Sequence, residues 1–250
     1  FKLPPELKAG FNSTKSNPLI SLKNIDIHYG EKYVFKNFSW NMKSNESWLF
    51  SGPNGAGKTS LLQIIHADHP QSYGQDIQLF GIQRGQGESI WDIKSHIGFV
   101  SVDFQRNFPT SMTGLAMVIS GFHDSMGLYR KPSQQEIDLS QLWLSTLQLD
   151  HLKDQYLSKM SWGEIRMLMI TRALVKKPDL LILDEPCQGL DQPQKKAVLE
   201  LIDLCSSLFN LNLIYVTHHK DDVLKCISHQ LQWTLKDDGT YKHNIISLKS

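Results

Sequence analysis

The chain has 250 residues, enough for one full core with a minor lobe and short of two average domains. Its 26 Lys and Arg against 25 Asp and Glu leave a net charge of +1, too little to build a phosphate-neutralising stripe, so nucleic acid is not an expected partner. Cys187, Cys205 and Cys226 lie far apart and form no Cys-x-x-Cys pair, which argues against a disulfide framework or structural zinc and fits a reducing, cytoplasmic compartment.

Residues 1–18 (FKLPPELKAGFNSTKSNP) are rich in Pro, Asn, Ser and Lys and read as a linker or cut end, with more chain expected upstream of Phe1. Residues 19–250 read as one folded body. From 19 to 50, short β-type runs alternate with turn residues, as in an antiparallel edge sheet feeding a central strand. After Ser47–Ser51 the pattern becomes a glycine loop and then the helical run TSLLQIIH. Three continuous apolar strands follow at 97–102, 180–184 and 213–217, separated by helical stretches, the pattern of a buried parallel sheet in an α/β fold. The text between Phe104 and Met160 is helical and polar, with Leu139, Leu142, Trp143 and Leu147 at helical spacing; it predicts an inserted helical lobe over about 104–176. No run of about 18 apolar residues is present to cross a bilayer, so any membrane role is expected to be peripheral, at the inner face.

The run Gly52, Pro53, Asn54, Gly55, Ala56, Gly57, Lys58, Thr59, with Ser60 behind it, fits Gly-x4-Gly-Lys-Ser/Thr between a strand and a helix. Glycines let successive N–H groups wrap an anion. Lys58 adds a charge for the β- and γ-phosphates, and Thr59 a hydroxyl for Mg²⁺. A chance glycine turn would match the four fixed positions in roughly one chain in a hundred of this length. The loop alone does not choose among the many classes of phosphate-binding enzyme.

At Leu180-Leu181-Ile182-Leu183-Asp184-Glu185 an apolar strand ends in two acids. Asp184, at the carboxyl edge of the sheet, is the candidate for the Mg²⁺ shell; Glu185 is the candidate base that takes a proton from a water attacking the γ-phosphate. In isolation the pair would read as a helix cap and a solvated acid. Ser161 and Glu164, three apart before an amphipathic run, form a capping box whose helix N-terminus could receive a phosphate.

Met160-Ser161-Trp162-Gly163-Glu164, followed by IRMLMITRALVKKPDLLILDEP, resembles the signature and Walker B block of ABC ATPases. The resemblance covers nearly all of residues 20–245. It implies ATP and Mg²⁺ as cofactors, and a site completed in trans, with Ser161 and Gly163 reserved for nucleotide on a second ABC domain, in tandem or as a homodimer. It further implies that Tyr29 stacks on adenine, that Gly189-Leu190-Asp191 is the D-loop, and that His218 is the switch histidine. Two positions depart from the family: Trp162 replaces a glycine of the signature, and Val102 stands where the Q-loop glutamine belongs, leaving Gln105 as the substitute. The stretches ADHPQSYGQDIQLFGIQRGQGESIWDIKSHIGFVS and MSWGEIRMLMITRALVKKPDLLILDEPCQGLD resemble the C-terminal half of tandem ABC proteins linked by name to molybdenum transport and photorepair. The alternatives are a homodimeric importer subunit docking a transmembrane partner through FQRNFPTSMTGLAMVISGF, and a nucleotide-gated scaffold. The pair His66 and His69 reads as surface or capping residues, with no third ligand for a metal.

Overall fold

A computed structural model describes residues 4–8, 10–11, 16–105, 107–219, 221–236 and 241–248. Of the stretch expected as a linker, residues 1–3, 9 and 12–15 lie outside these limits. A four-residue helix, α1 (Pro5–Lys8), precedes the long antiparallel pair β1 (Ile20–Tyr29) and β2 (Lys32–Met42). Strand β3 (Ser47–Ser51) leads to helix α2 (Lys58–Ile65). Strands β4 (Asp76–Leu79) and β5 (Ile82–Gln83) then add to β1, giving an antiparallel sheet of order β2-β1-β4-β5.

Helix α3 (Ile90–Lys94) precedes β6 (Ile97–Ser101), which runs directly into the short helix α4 (Val102–Gln105). The expected strand over 97–102 thus ends one residue early, and Val102 belongs to a helix. Helices α5 (Gly114–Ile119), α6 (Gln134–Thr146) and α7 (Trp162–Leu174) follow, then β7 (Leu180–Asp184), α8 (Gln192–Phe209), β8 (Leu213–Thr217), β9 (His229–Leu235) and β10 (Tyr241–Ser247). Six strands form the second sheet in the order β10-β9-β3-β8-β7-β6. Its pairs are parallel except β9 with the edge strand β10.

The core divides along this sheet. On one face Ile64, Phe50, Ile182 and Val216 join the apolar residues of the antiparallel sheet. On the other, Leu183, Tyr215 and Leu213 pack with helices α5 to α8 through Met117, Trp143, Leu168 and Ile202. This explains why β7 and β8 read as unbroken apolar runs: they are covered on both faces. Phe108, Met112, Met117 and Val118, in the stretch expected to dock a membrane partner, are buried in this second core, and Ile119 beside them is buried as well.

Register brings distant segments to one edge. Ser51 pairs with Thr217, Asp184 with Val216, and Ser101 with Asp184, so four neighbouring parallel strands end in line. The residues just beyond them therefore meet at the carboxyl edge of the sheet, the usual place for a ligand in an open α/β fold.

Candidate functional site

The four strand ends enclose a cleft of about 440 Å³. Its floor is the loop after β3. Lys58, only 7% exposed, donates from Nζ to the carbonyls of Gly52 at 2.7 Å and Pro53 at 2.9 Å, which bends the loop around the ammonium. Gly57 precedes α2 with a positive φ of 104° and no side-chain cap, so this helix starts with its N–H groups available beside Lys58 and Thr59. Burial lowers the Lys58 pKa, while the charges of Glu185 and Asp184 oppose that shift.

Across the cleft stand Asp184 and Glu185. Burial pushes the Asp184 carboxyl up to about 6, helped by the charges of Glu185 and Asp103 and resisted by Lys58. Three carboxylates thus share the cleft with the Lys58 ammonium, the one cationic side chain of its lining among the described residues, and Thr59 lies in the same lining. Oxygen donors of this charge fit a divalent hard cation such as Mg²⁺.

Glu185 has a left-handed backbone, φ 51°, an uncommon conformation for a non-glycine residue costing about 1–2 kcal/mol. Its N–H donates to Val216 O at 3.0 Å, extending the β7–β8 ladder one residue past the strand and fixing the turn. The side chain then meets His218, whose Nδ1 lies 2.7 Å from Glu185 Oε1, and Oε2 of Glu185 is buried without a partner among the described residues. One oxygen is oriented and the other is left for a proton donor in the cleft.

At the cleft mouth Tyr29 is 55% exposed. His69 is the N-cap of a 3-10 turn over Pro70–Ser72 and accepts at Nδ1 from the Gln71 N–H. Its proton therefore lies on Nε2 and is donated to the Tyr29 hydroxyl at 3.1 Å. His69 is a capping residue, as one of the two expectations had it, but buried rather than at the surface. His66 instead pairs with Asp68 at 2.6 Å.

The structure brings Tyr29, Asn54, Gly55, Gly57, Lys58, Thr59, Ser60, Asp184 and Glu185 into one cleft lining. Gly52 and Pro53 serve it through their carbonyls, and Ala56 is buried in the loop beneath. Ser161, Gly163 and Asp191 lie outside this lining. Ser161 accepts from the Glu164 N–H at 3.2 Å, and Glu164 Oε2 accepts from the Ser161 N–H at 2.7 Å, completing the capping box that starts α7. The Gly163 N–H donates to Gln194 Oε1, and Asp191 caps α8 by accepting from the Gln194 N–H at 2.9 Å.

Gln105 is not brought to the phosphate loop. The immediate turn of β6 into α4 leaves Val102 and Asp103 in the cleft lining and places Gln105, 5% exposed, in a separate 180 Å³ cavity with Trp162 and Arg166. Gln105, expected as the substitute for the Q-loop glutamine, is therefore set apart from the cleft lining by the helix that begins at Val102. Sequence reading missed Asp103, Val34 and Gln188 as cleft residues; only Asp103, an acid two residues past an apolar strand, carried a local signal.

Residues 35–188 match the family described as ABC transporter. The ABC transporter ATP-binding protein ModF of Escherichia coli (strain K12) is 40% identical over 241 residues, covering 96% of this chain and 49% of that protein. The chain thus spans about half the length of that relative. The zinc import ATP-binding protein ZnuC of Rickettsia conorii is 29% identical over 209 residues, 83% of this chain and 79% of its own. Among solved structures, cbiO1 from Clostridium perfringens, part of the complex cbiONQ, superposes with a TM-score of 0.75 at 21% identity, covering 91% of this chain and 88% of its own. The dimeric ATP-binding cassette MJ0796 bound to ADP and Pi gives a TM-score of 0.71 at 21% identity, covering 92% and 99%. With its phosphate loop, paired acids and α/β fold, the chain belongs to the ABC transporter family, as one of its ATP-binding ATPase domains.

Proposed function

We propose that this domain works as a nucleotide-driven dimerising motor whose own cleft holds ATP while Ser161 and Gly163 serve nucleotide on a second ABC domain. The observation that carries this reading is the separation of the two phosphate-binding groups: the loop around Lys58 lines the cleft and the capped N-terminus of α7 does not. In hydrolysis, a water oxygen attacks the γ-phosphorus, the bond to the ADP oxygen breaks, and the water proton passes to Glu185. His218 holds Glu185 through Nδ1, and Lys58 balances charge on the phosphates. Thr59 and Asp184 would hold Mg²⁺, which when bound supplies positive charge to the β- and γ-phosphate oxygens. Tyr29, exposed and steadied by His69, would stack on adenine.

Residues 19–250 are read as the C-terminal half of a tandem ABC protein, with the helices between about 104 and 176 as its lobe. Identity to ModF over about half of that protein's length supports the tandem part of this reading; the C-terminal position and an association with molybdenum transport come from the resemblance of the stretches around Ala67 and Met160. The importer-subunit reading, with a transmembrane partner, is weaker because the stretch from Phe108 to Ile119 spends its apolar side chains inside. No helix of the described residues is long and apolar enough to cross a membrane; a cytoplasmic site, peripheral at the inner face, is part of the same reading. The test is turnover against protein concentration. Specific activity rising with concentration supports a shared site, and robust hydrolysis independent of concentration in a monomer overturns it.

A further inference from the structure

We propose that Glu185, His218 and His219 form a binding site for a borderline transition-metal ion such as Zn²⁺, and that its occupation stops hydrolysis. The three side chains each offer one donor atom, and these atoms all lie within 4.8 Å of one another. The imidazoles of His218 and His219 stand 3.9 Å apart between centroids, and both are exposed enough for an ion to arrive from solvent. Two imidazoles and one carboxylate, with a fourth position open to water, make a donor set suited to zinc and its neighbours; Mg²⁺ prefers all-oxygen shells.

The backbone beneath the two histidines is already fixed. His219 N–H donates to Thr217 Oγ1 at 3.0 Å, and Thr217 Oγ1 donates to Asp222 Oδ2 at 2.8 Å. Asp222 also accepts from the Tyr215 hydroxyl at 3.1 Å and pairs with Lys195 Nζ. An ion therefore has to order only side-chain torsions. Ligands about 2.0–2.1 Å from a tetrahedral zinc lie about 3.3 Å apart. The 2.7 Å contact between His218 Nδ1 and Glu185 Oε1 must open by roughly half an ångström, the imidazole proton moving to Nε2, while His219 swings in.

Metal on Glu185 occupies the carboxylate that takes the proton from water. The inhibitory half of the proposal rests on that role for Glu185, whereas the binding half rests on geometry alone. Co²⁺ titrated into the nucleotide-free protein separates the two. The expected result is a one-to-one visible absorption of tetrahedral intensity, displaced by Zn²⁺ and unmoved by millimolar Mg²⁺. It should vanish in His219→Ala and in the hydrogen-bonding variant His219→Gln. Equal Co²⁺ spectra in wild type and both variants, as from cysteine ligation, would overturn the site. In excess Mg²⁺ and ATP, Zn²⁺ should suppress turnover reversibly with EDTA, and the His219 variants should keep basal turnover and need at least tenfold more Zn²⁺. Co²⁺ binding with no loss of turnover on Zn²⁺ addition overturns the inhibitory half, while the role of Glu185 as base is decided separately by the turnover of Glu185→Gln.

Discussion

His218 Nδ1 and Glu185 Oε1 lie 2.7 Å apart at the ends of neighbouring strands, so the imidazole aims the carboxylate that stands opposite Lys58. Glu185→Gln keeps an acceptor for His218 but cannot take a proton. Turnover should fall by about 10²–10⁴-fold while ATP affinity stays within a few-fold, and ATP should accumulate a dimer on gel filtration. Unchanged turnover would remove Glu185 from the mechanism.

Asp184 gives a stability prediction with a definite sign. Its pKa of about 6 exceeds the ordinary 3.8, so between these values the folded chain holds the proton more tightly than the unfolded one, and stability falls as pH rises through that window. Roughly two pH units at about 1.4 kcal/mol each set an upper bound of about 3 kcal/mol above pH 6. Asp184→Asn removes the penalty. Urea melts without nucleotide should show the variant more stable by about 1–3 kcal/mol at pH 8, with the gap closing near pH 4. Equal midpoints at pH 8 would show that burial does not strain this carboxylate.

The part of this site that the sequence discloses is the part whose chemistry is local. The loop from Gly52 to Thr59 and the Asp184-Glu185 pair each act within a few consecutive residues, and the capping box at Ser161 needs only three-residue spacing. Strands 180–184 and 213–217 read correctly because burial on both faces makes them uniformly apolar. The strands β4, β5, β9 and β10 escape notice for the opposite reason. They are short or mix polar residues into half-buried positions, as in HQLQWTL, and only their partners make them strands. Gln105 misleads because residue spacing after β6 cannot reveal that a helix starts at Val102. Asp222 is invisible because its role comes from Tyr215, Thr217 and Lys195, which only the fold assembles.

Gly52 and Gly55 should respond differently to the same change. A Cβ on Gly52 would sit 2.7 Å from Trp233 Cβ and 2.9 Å from its carbonyl oxygen, with φ at 152°. Gly52→Ala must therefore displace the carbonyl that holds Lys58, and ATP affinity should drop at least tenfold. A Cβ on Gly55 meets nothing within 4 Å, so Gly55→Ala bears only the left-handed backbone cost of about 1–2 kcal/mol. Equilibrium binding of a fluorescent ATP analogue compares them; equal losses would mean that the Trp233 contact does not position the loop.

Asp222 braces the segment carrying His218, and its loss should be felt twice. The carboxylate is 6% exposed and serves Tyr215, Thr217 and Lys195 together. Asp222→Ala leaves a sequestered ammonium and two hydroxyls without their partner, a change that costs about 3–5 kcal/mol when a buried pair is broken. For a chain of this size that is a fall in Tm of roughly 6–20 °C. Because Thr217 no longer anchors the His219 N–H, His218 should also lose its hold on Glu185, lowering kcat more than ATP affinity at a temperature where the variant remains folded. Tyr215→Phe in the Asp222→Ala background should cost less than it does alone, since the hydroxyl has already lost its carboxylate acceptor and keeps only Cys187 Sγ at 3.6 Å. Full additivity of the two changes would show that the brace is not a single network and that the His218 backbone is held by other contacts.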